Sequence, residues 1–141
     1  MQDDEAVGRL PRGRKPVKRK PTETLRVACG LQRRAAAVGF DWPDARGPRA
    51  KVEEELKELD RETRKGKRET WEEEVGDLLF AVVNLARKLE INPRAALDKA
   101  NDKFKRRFAE LKRLAAARGI RLGRASLEAL DELWDELKRR E

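Results

Sequence analysis

From Thr24 to the C-terminus, apolar residues recur at intervals of three and four and do not alternate with polar ones. That spacing gathers them on one side of a 3.6-residue helix but scatters them across both faces of a strand, so it restricts the chain to an all-α fold. β-branched residues, which favour pleated sheet, are also few. Val27, Leu31, Ala35 and Val38 mark a first helix over about residues 24–38, and Val52, Leu56 and Leu59 a second over about 48–64. Between them, Gly39-Phe40-Asp41-Trp42-Pro43 breaks the pattern and carries two aromatic rings. A third helix is expected from Thr70, where Thr70 and Glu73 have the spacing of a capping box, to about Leu89. Asn92 and Pro93 supply a cap and an N1 proline for a fourth, running to about Arg118 before Gly119. A last helix opens near Ser126, with Leu127, Leu130 and Trp134 on one side. The expected architecture is a bundle of about five helices.

The third helix is apolar on more than one side. Trp71, Val75, Leu78, Val82, Leu85 and Leu89 form one face, while Phe80 and Val83 project from the other. One neighbour cannot bury both, so the helix is either central or meets a second copy of the chain.

The chain has 141 residues, enough for one domain, and a formal net charge of +8 that is unevenly placed. Residues 9–20 carry seven Lys or Arg and no acid, and residues 1–8 three acids, leaving only +4 for the remainder. With Pro11, Pro16 and Pro21, residues 1–22 read as a flexible basic arm and residues 23–141 as the folded domain. Cys29 is the single cysteine and there is no histidine, which excludes an intrachain disulfide and disfavours a zinc site. The longest apolar run, Leu78 to Val83, is too short to span a bilayer, and the N-terminus has no apolar signal core. A cytoplasmic protein without membrane attachment is expected.

Two acidic clusters carry the chemistry. On the second helix Glu55 and Glu58, three apart, lie beside the apolar stripe, with Glu62 on the same flank. On the third, Glu74 and Asp77 do the same, and Asn84 and Lys88 extend their flank. If the two helices form an antiparallel hairpin, four carboxylates converge. Such a group repels itself unless a hard cation neutralises it, and an all-oxygen donor set suits Mg²⁺ or Mn²⁺. Solvated surface charge is the competing reading. Glu73 is accounted for by the cap, Glu54 and Glu72 are placed as solvated charges, and Glu53 can pair with Lys57.

The residues beyond these clusters bring a known pattern into view. Gly39-Phe40-Asp41-Trp42-Pro43-Asp44, the acidic run from Glu54 to Glu58, and Glu74 to Asp77 occur in that order. Gly76-Asp77-Leu78-Leu79-Phe80, Val83-Asn84-Leu85-Ala86-Arg87 and Asn101-Asp102-Lys103-Phe104 follow, the last leading to Arg106-Arg107-Phe108. From about Thr24 onward the chain resembles the MazG nucleoside triphosphate pyrophosphohydrolases, in particular the C-terminal domain of two-domain members. The resemblance implies a MazG-like helical bundle that dimerises through its central helices. It implies hydrolysis of NTPs or dNTPs to monophosphate and pyrophosphate, as nucleotide-pool housekeeping, with Mg²⁺ and Mn²⁺ as a substitute. Glu55, Glu58, Glu74 and Asp77 would be the metal ligands, and Glu54 would join them in catalysis. Lys51, Glu72, Glu73 and Asn84 would line the nucleotide site, and Lys103, Arg106 and Arg107 would grip phosphate. Trp134 would contact the base by stacking, or else anchor a core beside Leu127 and Leu130.

A different class of function is kept open by the basic arm and the Lys103–Arg107 run. The alternative is a basic helical module that binds nucleic acid or serves assembly without catalysis, any nucleic-acid contact being confined to the N-terminal arm.

Overall fold

A computed structural model describes residues 21–141 as five helices: α1 (Pro21–Ala37), α2 (Arg46–Lys65), α3 (Arg68–Lys88), α4 (Pro93–Ala117) and α5 (Leu127–Arg139). No strand occurs among the described residues. The reading of residues 1–20 as a basic arm falls outside them, and α1 already begins at Pro21. No described helix is long and apolar enough to cross a membrane.

Local chemistry sets the boundaries. Asn92 Oδ1 accepts from the Ala95 amide at 3.2 Å, and Ser126 Oγ from the Ala129 amide at 3.2 Å, which caps α4 and α5. Three helices end in the same two-bond motif. The amides of Gly39, Glu90 and Gly119 donate to the carbonyls of Ala36, Arg87 and Ala116. The following amides, of Phe40, Ile91 and Ile120, reach back to Ala35, Ala86 and Ala115. The first residue of each trio is left-handed, with φ of 88° at Gly39, 60° at Glu90 and 67° at Gly119.

The capping box expected at Thr70 is replaced by a different arrangement. α3 begins earlier, with Lys67 as its cap residue and no side-chain cap, and Thr70 Oγ1 donates to the Lys67 carbonyl at 2.7 Å. The left-handed Gly66 (φ 77°) turns the chain within two residues, so Thr70 already lies inside the first helical turn. Trp71 then ties the hairpin together, its indole N–H donating to the Glu62 carbonyl at 3.0 Å.

Packing divides the helices into two hairpins. α2 packs on α3 and on no other helix, and α5 packs only on α4. α1 lies across α3 and α4 and, with a small α3–α4 contact, joins the two halves. The α4–α5 hairpin has its own core of Leu111, Ala115, Leu133 and Leu137, against which Leu114, Ile120, Leu122 and Trp134 pack.

One chain covers only part of its expected apolar stripes. On α1 the buried residues are Cys29 and Gln32, while Val27 and Leu31, and Val38 just past its end, are exposed. On α3, Ala81 and Val83 are buried, whereas Val75, Val82 and Leu89 are exposed. A helix that is apolar on two sides presents two stripes of equal periodicity, and the chain's own partners cover only one.

Candidate active site

Sequence and turn chemistry make α2 and α3 an antiparallel pair, and this sets their acidic residues opposite one another. One carboxylate oxygen from each of Glu55, Glu74 and Asp77 lies within 4.8 Å of the other two. Glu55 is buried, Glu74 half-buried and Asp77 exposed, so the group opens outward from the helix interface. Lys51, one turn before Glu55, places its Nζ 2.9 Å from Glu55 and 3.2 Å from Glu54. These carboxylates, Glu55 foremost, hold the Lys51 ammonium above its usual pKa. Burial, and then the charges of Glu55, Asp77, Glu58 and Glu62, push the Glu74 carboxyl above its usual value.

This donor set fits a hard divalent cation. It is all oxygen, and its three members lie close enough on facing helices that side-chain rotation would let them share one ion. Glu58, the fourth expected ligand, lies one turn beyond Glu55 and pairs with Arg61 rather than joining the three. Glu54, Glu72 and Glu73 are exposed.

Further along α3 lies a cavity of about 360 Å³ walled by the rings of Phe40, Trp42 and Phe80 and edged by Gln32 and Asn84. Asn84 follows Asp77 by seven residues, two turns, so the cavity begins about 10 Å further along the same helix face. The segment before α2 is fastened over it. Asp41 accepts from Arg87 Nη1 at 3.2 Å and from Lys88 Nζ at 3.3 Å, and also accepts from the Trp42 amide at 2.8 Å. The Arg87 hydrogen bonds, opposed by desolvation, hold the Asp41 carboxyl at about 2. Arg87 also donates through Nε to Asn84 Oδ1 at 2.9 Å. A Cβ at Gly47 would sit 2.3 Å from Trp42 Cε3, so glycine there lets the indole lie against the first turn of α2.

The basic residues lie elsewhere. Lys103 and Arg106 line a shallow recess on α4. Arg107 donates to Glu141 at 3.0 Å through Nε and stacks over the Trp134 ring at 5.0 Å. Trp134 is half-buried and also meets Phe104, with ring centroids 5.4 Å apart. Since α2 touches neither α4 nor α5, one chain does not bring this group against the Glu55 side of the carboxylates.

Two features of the site were not read from the sequence. Gln32 is 5% exposed, and its Nε2 donates to the Phe80 carbonyl at 2.9 Å, joining α1 to α3. The Asp41–Arg87 clamp spans 46 positions. A polar residue next to an apolar stripe was the signal for Gln32. The clamp has no local signal.

Residues 48–111 match the profile of the MazG nucleotide pyrophosphohydrolase domain. That span holds the carboxylates, Lys51, Asn84 and the Lys103–Arg107 run, and ends before Trp134. The chain is 47% identical over 119 residues to a nucleoside triphosphate pyrophosphohydrolase of Escherichia coli (strain K12), which covers 83% of this chain and 45% of that protein. It is 46% identical over 114 residues to the nucleoside triphosphate pyrophosphohydrolase/pyrophosphatase MazG of Thermotoga maritima, covering 81% of this chain and 44% of the relative. With the uncharacterized protein YabN of Bacillus subtilis (strain 168) it shares 48% identity over 68 residues, 14% of that protein. The chain thus spans less than half the length of the curated relatives it matches. Through its matched helices and their paired acidic motifs, the chain belongs to the MazG family of nucleotide pyrophosphohydrolases.

Proposed function

We propose that the chain hydrolyses nucleoside triphosphates, ribo- or deoxyribo-, to the monophosphate and pyrophosphate, and that it acts on the cytoplasmic nucleotide pool. The observation that carries this reading is the convergence of Glu55, Glu74 and Asp77 on a point beside an aromatic cavity. Glu58, one turn beyond Glu55, would be the fourth ligand once released from Arg61. Bound there, Mg²⁺ or Mn²⁺ would neutralise the carboxylates, grip the triphosphate and draw electrons from the α-phosphorus. Lys51 offsets the charge of Glu54 and Glu55. The base enters between Phe40, Trp42 and Phe80, and Asn84 marks its polar edge. Water adds to the α-phosphorus as the bond to the bridging oxygen breaks, and a neighbouring carboxylate takes the proton.

The active unit is a homodimer. Val75, Leu79, Val82 and Leu89 make one exposed apolar stripe along α3 at four-, three- and seven-residue steps. A second copy across this stripe would bury it. The same association supplies the phosphate-gripping Lys103, Arg106 and Arg107, which one chain keeps apart from its own α2.

The test is product analysis by ion-exchange chromatography with each NTP and dNTP, in Mg²⁺ and in EDTA. Monophosphate and pyrophosphate appear only with the cation. Glu55→Gln and Asp77→Asn each lower kcat/KM on the order of 100- to 1,000-fold while helical circular dichroism is unchanged. Diphosphate with orthophosphate as products, or near-normal turnover in either variant, would overturn the reading.

A further inference from the structure

A second cavity of about 570 Å³ lies between α1, the end of α3 and the start of α4, and none of the clustered carboxylates lines it. Four guanidinium-bearing residues line it, Arg26, Arg33, Arg87 and Arg94, against one carboxylate, Glu90. Among the described residues neither Arg26 nor Arg33 pairs with an acid, and Arg94 reaches Asp98 only at 3.8 Å. Arg94 is also the second residue of α4, where backbone N–H groups lack helical partners and the helix dipole favours negative charge. The rest of the wall is Leu25, Cys29, Ile91 and Pro93, with Asn92, whose side-chain oxygen is taken up by the Ala95 amide. The volume falls within the range of small-molecule sites, about 300–1,000 Å³, well beyond what a single ion needs. Arginine forks match phosphate oxygens two at a time.

We propose that this cavity is a second site, separate from the carboxylate centre, for an oligophosphate-bearing ligand of nucleotide size. Its chemistry calls for several phosphoryl oxygens against the arginines and a flat apolar portion against Leu25 and Ile91. Arg87 connects it to the first cavity, because the same residue lines both and its guanidinium holds Asp41. An anion drawing on Arg87 competes with Asp41 and loosens the segment that carries Trp42. Ligand in the second site thereby weakens the substrate cavity, and the device is an inhibitory one.

The test is binding of inorganic tripolyphosphate to the full chain in EDTA, by titration calorimetry at fixed ionic strength, where the carboxylate centre has no cation to offer. Arg26→Ala and Arg94→Ala should each weaken binding about tenfold, as loss of a charge-assisted contact does. Glu55→Gln should leave it unchanged, since that carboxylate lies on α2, which does not border the cavity. Asp41→Asn releases Arg87 and should tighten it severalfold. ADP should bind more tightly than pyrophosphate, because its base adds contact with Leu25 and Ile91, and equal affinity would overturn the apolar half of the site. No binding by wild type, full affinity in folded Arg26→Ala and Arg94→Ala, or loss in Glu55→Gln would each overturn the second site. Unchanged or weaker binding in Asp41→Asn would overturn its link to the first cavity. Because the readout is binding without turnover, these outcomes are independent of whether the chain hydrolyses nucleotides.

Discussion

Replacing Glu90 by glycine should stabilise the protein. Three helices end in the same motif, and only at α3 is its left-handed position filled by a residue with a side chain. For an L-residue this conformation costs roughly 1–2 kcal/mol through the clash of Cβ with the following carbonyl. Glycine removes that cost but adds unfolded-chain freedom, returning about 0.4–1 kcal/mol. The carboxylate also sits at the negative end of the α3 dipole, unfavourable by about 0.3–1 kcal/mol. Glu90 makes no ion pair among the described residues, so no contact is lost. The net expectation for Glu90→Gly is about 1 kcal/mol of added stability, or a rise of about 3–6 °C in Tm for a domain of this size. Calorimetry and urea titration at one fixed protein concentration would measure it, with an unchanged urea slope. The other two motifs are internal controls. A Cβ built on Gly39 or Gly119 meets nothing within 4 Å, so Gly39→Ala and Gly119→Ala should each cost about 1 kcal/mol by conformation alone. An unchanged or lower Tm for Glu90→Gly, with both controls destabilised, would show that left-handed strain at Glu90 is not the quantity at issue.

Two further outcomes follow from the geometry. The Asp41 carboxyl is depressed in the folded state from 3.8 to about 2, so its contribution is fully present above the unfolded value and is lost as pH falls from about 3.8 through about 2. Thermal melts of wild type and Asp41→Asn should therefore differ by a constant amount above pH 4 and converge towards pH 2, whereas curves parallel throughout would dissociate Asp41 from the acid limb. Leu79, exposed at 58% in the middle of the outer α3 stripe, becomes Glu in the second test. Light scattering should then find a monomer where wild type is a dimer, and a wild-type monomer would remove the proposed interface.

The fold was legible because helical periodicity and punctuation are local. Asn92, Ser126 and Gly119 act on amides and carbonyls within a few residues, and their helix ends fall where expected. The carboxylate group was half legible. A helical wheel fixes the direction in which Glu55, Glu58, Glu74 and Asp77 point, but not how far α2 is shifted along α3, and that offset brings Glu55 rather than Glu58 against the α3 pair. Which face of α1 turns inward was not legible, for a related reason. Val27, Leu31 and Val38 have core-like spacing, yet it is Gln32 that faces inward, its amide donating to the Phe80 carbonyl while its Oε1 has no partner among the described residues. The capping box failed because Gly66 makes a turn tighter than the Thr-x-x-Glu pattern assumes.

The division into two helical hairpins also bears on how the chain reaches its structure. Each hairpin closes on a short connection, so little loop-closure entropy opposes its first contacts and each can form early. α1 must wait for both, since it rests on α3 and α4. Amide exchange should accordingly resolve two cooperative units, with the Leu111–Leu137 hairpin opening apart from the carboxylate hairpin. On that expectation, the carboxylate centre and the helices proposed to grip its substrate would open as separate parts, joined through α1.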